Sequence, residues 1–227
     1  MRVITWNCNL KFKEKFELVD SFDPDICFIQ ECEKLKYDFF PGYKYFWTGR
    51  NENKGLGVLS KKNNFFIDEA HNKDLINFLP IKSDNLKLLG VWSFNHRASK
   101  FGSEVSGNTI DAINFYRDWF GNDNEKCIVA GDFNNSIIWD KKGNDNNFNN
   151  INDHFLDLGF VSNYHKLEGE DFGKESSATF FHTKMESKKY HIDYIYSKNL
   201  NPLELKVGSY SEWISYSDHS PLIAKLG

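Results

Sequence analysis

Lys126-Cys-Ile-Val-Ala-Gly-Asp-Phe-Asn-Asn135 is the stretch that decides the fold. Cys127 to Ala130 lack helical periodicity and are small or β-branched, so they read as a buried strand that opens into a loop at Gly131. That leaves Asp132 and Asn134 at a strand mouth, where side chains are held rigidly beside open solvent. An acceptor carboxylate two residues from a donor amide is suited to gripping a water and a phosphate. The competing reading is a structural turn, since Asp and Asn readily bond their own backbone.

On the N-terminal side of this stretch, Thr109 to Phe120 carries Ile110, Ile113, Tyr116 and Phe120 near helical spacing, and Leu88-Leu89-Gly90-Val91-Trp92 is another apolar run. Strand, helix and strand make a βαβ unit with parallel neighbours. The chain begins the same way: Val3 to Trp6 as a strand, Lys13 to Phe22 as a short amphipathic helix, an Asp23-Pro24-Asp25 turn, then Ile26 to Ile29 as a strand. Between the two units, Tyr43 to Phe66 predicts short strands, with Gly55 and Gly57 in a tight hairpin; a P-loop is excluded because no helix follows. Beyond the central stretch, residues 143 to 152 form an Asn- and Asp-rich surface loop, Ile151 to Leu158 a helix stopped by Gly159, and Glu168 to Ser177 a second loop. Thr179 to His182 and Tyr190 to Ser197 flank a charged hairpin, and Ser220 to Lys225 is the last strand.

With 227 residues, five prolines and no Gly/Ser-rich linker, the chain is expected to fold as one domain over 1–227, its core packed largely by rings, 21 of them Phe. A net charge of −4 gives no global attraction to nucleic acid, and Lys61-Lys62, Lys141-Lys142 and Lys188-Lys189 read as solvated turns. A polyanionic substrate stays open, because a bound ion would neutralise clustered acids. Cys8, Cys27, Cys32 and Cys127 lack paired C-x-x-C spacing and read as reduced, half-buried thiols, which excludes a zinc site or a disulfide framework. With neither a signal-peptide h-region nor a membrane-length apolar run, the expectation is a cytoplasmic monomer without membrane or protein partners.

Five predicted strands end in functional residue types: Asn7 and Asn9; Glu31; Asn95 and His96; Asp132 and Asn134; and His191-Ile192-Asp193, with Ser217-Asp218-His219-Ser220 before the last strand. Glu31 with Asp218 and Asn9 offers hard oxygen ligands and no zinc-like set, which suits Mg²⁺ or Mn²⁺. His219 is a proton carrier near neutral pH, and Asp193 is the type of partner that orients such a ring. No serine or cysteine is paired as a nucleophile, which favours direct attack by water.

Trp6-Asn7-Cys8-Asn9, Gln30-Glu31, Gly131-Asp132-Phe133-Asn134, His191-Ile192-Asp193-Tyr194 and Ser217-Asp218-His219-Ser220-Pro221 resemble, in order, the motif set of the endonuclease/exonuclease/phosphatase superfamily of deoxyribonuclease-I-like metal-dependent phosphoesterases. The resemblance spans residues 6 to 221 and implies a four-layer α/β sandwich: two mixed sheets packed face to face, helices outside, the site where strand ends meet. It implies Glu31 as the principal Mg²⁺ ligand, supported by Asn7, with Asp218 near the metal site and Asn9 at a position that is often Asp or Asn in relatives. Asp132 and Asn134 would position the water and the phosphate. His219, oriented by Asp193, would contact the scissile phosphate or act as base; the choice of base between it and Asp132 stays open. His96 and Asn95 compete for a phosphate contact, His96 being preferred, and His191 either reaches phosphate or packs against a loop. Trp139 and Trp213 are read as core or loop anchors ahead of base-stacking residues, and His71, His154, His165 and His182 as structural or surface.

The expected activity is Mg²⁺-dependent hydrolysis of nucleic-acid phosphodiesters by in-line attack of water. The alternatives are a phosphatase or phosphodiesterase of small or lipid-linked phosphates, and a non-catalytic binding module, which the filled catalytic positions argue against.

Overall fold

The computed structural model describes residues 1–61, 64–94, 109–121 and 124–227. The chain builds one sheet, crosses to a second and returns. β1 (Arg2–Asn7) leads through α1 (Phe12–Asp20) to β2 (Ile26–Cys32), followed by the hairpin of β3 (Lys44–Asn51) and β4 (Lys54–Ser60). β5 (Phe66–Ile67), β6 (Phe78–Ser83) and β7 (Leu86–Trp92) begin the second sheet, and α2 (Thr109–Phe115) precedes β8 (Cys127–Asp132). Next come α3 (Phe148–Asp157), β9 (Val161–Ser162), α4 (Asn163–Glu168), a small hairpin of β10 (Phe180–Phe181) and β11 (Lys189–Tyr190), and β12 (Asp193–Lys198). β13 (Pro202–Val207), α5 (Tyr210–Trp213) and β14 (Leu222–Leu226) complete the first sheet. The strand orders are β13-β14-β1-β2-β4-β3 and β5-β6-β7-β8-β12-β9. Both expected βαβ units hold, since β1 pairs parallel with β2 and β7 with β8, while the antiparallel neighbours make both sheets mixed.

Apolar runs without alternation are explained by sheets covered on both faces. In β8, Ile128 and Ala130 point between the sheets, where they join Phe28, Val58, Leu88 and Ile195. Cys127 and Val129 point outward, to a layer with Ile113, Tyr116, Phe148 and Phe155 from α2, α3 and the segment after α2. In β2 the same alternation sends Phe28 inward, while Cys27 and Ile29 pack outward with Phe12 and Val19 of α1. Helix, sheet, sheet and helix thus form four layers.

Several local expectations change. Gly55 and Gly57 lie inside β4, not in its turn: a Cβ at Gly55 would sit 2.3 Å from the Trp47 ring, and one at Gly57 2.5 Å from Tyr45. The glycines make room for cross-strand rings. Helix α3 begins three residues early because Asp140 caps it from a distance, accepting from Phe148 N at 2.6 Å and Asn149 N at 3.0 Å. Helices α4 and α5 and strand β13 were not anticipated. All four cysteines are free and fully buried, not half-buried. Among the described residues, no helix is long and apolar enough to cross a membrane.

Candidate active site

The strand ends of both sheets open on one edge, and Asp132 joins them. Gly131 has φ +154°, and a Cβ there would lie 1.8 Å from Val91 O, so glycine alone lets β8 follow β7 to its last residue. Asn134, at φ +47°, turns the chain back and donates from its backbone N to Asp132 Oδ1 at 2.8 Å. Its Nδ2 donates to Asp132 Oδ2 at 3.0 Å and to Ser93 O at 2.9 Å. From the other sheet, Asn7 Nδ2 donates to the same Oδ2 at 3.0 Å. Two amides therefore fix one buried carboxylate oxygen.

Asp193 opens β12 directly opposite Asp132 in the antiparallel register. Its Oδ2 accepts from His219 Nδ1 at 2.9 Å, and His219 Nε2 lies 4.0 Å from Asp132 Oδ2. The histidine backbone is fixed as firmly as the ring: Ser217 Oγ accepts from His219 N at 3.0 Å and donates to Asn7 O at 2.7 Å, while Trp6 Nε1 donates to His219 O at 3.0 Å. Phe180 lays its ring 4.7 Å from the imidazole. Burial alone would lower the pKa of His219, but Asp193 and then Asp132 outweigh it and raise the ring to about 10. Burial, with the like charge of Asp193, pushes Asp132 upward against the pull of His219.

A second group adjoins the first. Glu31 has φ +60° at a bulge in the β2–β4 pairing, and its carboxylate stays partly exposed, 3.0 Å from Lys54 Nζ. Positive φ at a non-glycine residue is a strained state that persists where the surroundings enforce it. Asn9 Nδ2 donates to Asp218 Oδ1 at 3.3 Å, and Asn9 N donates to Asn7 Oδ1 at 3.1 Å. Cation ligands could come from this oxygen-rich set or from Asp132, Asp193 and His219, whose nearest donor atoms all lie within 4.8 Å of one another.

The structure thus brings Asn7, Asn9, Asp132, Asn134, Asp193, Asp218 and His219 together, with Glu31 on the strand beside Asn7. His191 is placed differently: the residue is 4% exposed, its Nδ1 bonds Ser177 O at 2.8 Å, and Tyr164 and Tyr194 flank its ring. Of its two sequence readings, this geometry is loop packing. Asn95 and His96 lie outside the described residues. Trp213 is a core anchor edge-on to Trp6, Trp139 is half-buried against Tyr190, and His165 stacks on Phe172 and pairs with Glu175. Sequence reasoning gave no role to Ser217, Lys54 or Phe180. Ser217 was visible as a hydroxyl two residues before the histidine; the other two are brought in by tertiary structure and carry no local signal.

The profile of the Endonuclease/Exonuclease/phosphatase family matches residues 4–219. No curated protein matches the sequence. Among solved structures, a 3′-5′ exonuclease from Neisseria meningitidis superposes with a TM-score of 0.74 at 20% identity, covering 99% of each chain. A 3′ phosphatase from Neisseria bound to product DNA hairpin gives 0.73 at 18%, covering 100% of this chain and 99% of that one. An AP endonuclease from Archaeoglobus fulgidus gives 0.71 at 15%, covering 99% and 98%. At these identities the likeness is one of fold, and it is the two-sheet fold derived above. With nearly its whole length matched, the chain belongs to the Endonuclease/Exonuclease/phosphatase family, whose members are phosphoric ester hydrolases.

Proposed function

We propose that this protein is a divalent-cation-dependent phosphodiesterase that hydrolyses nucleic acid. The observation that carries the reading is the His219 ring held between two buried carboxylates, Asp193 at 2.9 Å and Asp132 at 4.0 Å, at the mouth of both sheets. A product-bound DNA hairpin in one structural relative supports nucleic acid as the substrate class.

The residues fit Mg²⁺ or Mn²⁺. Glu31, Asp218, Asn7 and Asn9 offer oxygen atoms, while the soft donors adjacent in sequence, Cys8 and Cys32, are buried in the core. Glu31 is held at the mouth with the partly exposed Lys54 as its counter-charge. In the other group, His219 Nδ1 already bonds Asp193, so that nitrogen carries the proton and offers an ion no lone pair. We therefore assign the cation to the Glu31 set. Held there by Glu31, Asp218, Asn7 and Asn9, such an ion would supply neutralisation of negative charge on a phosphate oxygen and the leaving oxyanion.

The chain's own residues do the rest. His219, raised to about 10, is protonated at neutral pH, so its Nε2–H donates to a phosphate oxygen and stabilises charge developing on phosphorus. Asp132, its pKa raised by burial, is the base: it orients the attacking water and takes its proton. Asn7 and Asn134 hold the Asp132 carboxylate in place while the proton moves. Asp193 fixes the tautomer and balances the imidazolium.

The test is hydrolysis, at fixed Mg²⁺ and in EDTA, of single- and double-stranded DNA, RNA, an inositol phosphate and bis-p-nitrophenyl phosphate by wild type and His219→Ala. We expect nucleic-acid cleavage that vanishes in the variant and in EDTA. Hydrolysis confined to the small esters would refute the substrate class, and cleavage unaffected by the substitution would refute the site.

A further inference from the structure

The loop from β1 to α1 holds an unusual backbone. Asn9, Leu10 and Lys11 are consecutive non-glycine residues with φ of +50°, +70° and +54°. Each such residue costs on the order of 1 to 3 kcal/mol unless neighbouring contacts enforce it. Some contacts are local to the strand ends: Asn9 N donates to Asn7 Oδ1, and Leu10 N donates to Glu31 O at 3.1 Å. Helix α1 then starts without a side-chain cap of its own, and Glu33 supplies one from the end of β2, accepting from Phe12 N at 2.7 Å and Lys13 N at 3.1 Å.

One turn into that helix, Lys15 reaches back. Its half-buried Nζ donates to Cys8 O at 2.6 Å, Asn9 O at 3.3 Å and Tyr216 O at 2.7 Å, and lies 5.9 Å from the Trp6 ring. Two of these carbonyls belong to the β1–α1 loop. The third belongs to the loop before β14, two residues ahead of Asp218. The ammonium therefore ties together the segments carrying Asn9 and Asp218, whose side chains meet at 3.3 Å. Charge-assisted bonds to three convergent carbonyls are stronger and more directional than a surface ion pair.

We propose that Lys15 is a positioning residue: by joining the carbonyls of Cys8, Asn9 and Tyr216, its ammonium sets the Asn9–Asp218 pair beside Asn7 and Glu31 in the arrangement that accepts a divalent cation. This rests on the assignment of that set as the cation site. The contact is made through backbone oxygens, so the role is independent of the side chains at Cys8 and Tyr216.

The experiment compares Lys15→Met, Lys15→Gln and Lys15→Arg with wild type and Glu31→Gln. Thermal melting establishes folding, amide hydrogen exchange of metal-free protein reports the Leu10 N–H, Mn²⁺ titration reports affinity, and kcat and KM are separated on the cleaved substrate. In Lys15→Met, or in Lys15→Gln where the former does not fold, we expect loss of Leu10 protection. Mn²⁺ affinity should fall about ten- to a hundredfold, the range for partners that orient ligands. kcat should fall with KM little changed, and Lys15→Arg should recover part of both. Unchanged Leu10 protection, or wild-type Mn²⁺ affinity and kcat in a folded Lys15→Met, overturns the proposal. Glu31→Gln separates the two claims: if it leaves Mn²⁺ affinity intact, the cation assignment fails, and Lys15 as a positioning residue for that site fails with it; if it abolishes binding while Lys15→Met does not weaken it, only the role of Lys15 fails.

Discussion

Asp193→Asn keeps the shape of the buried partner of His219 and removes its charge. At ~1.4 kcal/mol per pKa unit, lifting the imidazole from its ordinary value near 6.5 to about 10 corresponds to about 5 kcal/mol in favour of the charged ring. Burial is the largest influence on this ring and acts in the opposite direction, so without Asp193 the balance turns toward the neutral form. The sign of the linkage follows. A folded-state pKa above the unfolded value gives wild type a contribution to stability that is fully present below about pH 6.5 and lost as pH rises toward 10. Asp193→Asn should flatten that decline. The assay is NMR titration of the His219 ring in EDTA, paired with thermal melts from pH 6 to 10 and the pH profile of cleavage. We expect the variant ring to be neutral at pH 7 and the rate to fall on the order of 10²- to 10³-fold, as for loss of one charged donor to the developing phosphate charge. A wild-type ring titrating at or below about 6.5 would refute the reasoning, as would a variant with the wild-type rate and pH profile.

Gly131→Ala places a methyl 1.8 Å from Val91 O at φ +154°, and neither strand can yield in the centre of a sheet. It should be insoluble or melt far below wild type; a melt within a few degrees of wild type would show that β8 ends more loosely than described. The four thiols are fully buried, and burial pushes Cys32 up to about 12, so the native protein should resist a thiol reagent such as DTNB until it unfolds. Stoichiometric labelling of the folded protein would contradict this burial.

What the sequence revealed was set by how each feature is encoded. Asp132, Asn134 and Glu31 follow directly on apolar runs, so the strand and its functional end are read from one short stretch. The βαβ units were legible because Val3 to Ile29 and Leu88 to Asp132 each carry a complete strand, helix and strand. The glycines at 55 and 57 misled because a glycine marks close approach without naming the neighbour, and here the neighbours are Trp47 and Tyr45 across the ladder. Strand β13 had a period-two signal in Leu203, Leu205 and Val207, but it lies at the sheet edge and Leu203 is 47% exposed, so its apolar pattern resembles that of a surface segment. The caps of α1 and α3 come from Glu33 and Asp140, outside the spacing that a local capping rule inspects.

The same distinction runs through the site. The residues with chemistry stand at strand ends because a strand inside a covered sheet cannot choose its direction, and whatever follows its last hydrogen bond emerges at the common edge. Register puts Asn7 opposite Gln30 at the end of one sheet and Asp132 opposite Trp92 at the end of the other; Glu31 follows Gln30 at a bulge, and the Asn7–Asp132 hydrogen bond joins the two sheets. Register cannot align residues on loops, and Asn9 and Asp218 are on loops. Their placement has to be built from contacts between segments distant in sequence, and those contacts use backbone oxygens, which every residue has and no motif records. Lys15, Ser217 and the N–H of Trp6 all act on carbonyls at this mouth: those of Cys8, Asn9 and Tyr216, of Asn7, and of His219. A reader of side-chain motifs therefore finds the groups that would touch phosphate and misses those that hold them, even though a displacement of about 1 Å in such a constellation costs on the order of a hundredfold in rate.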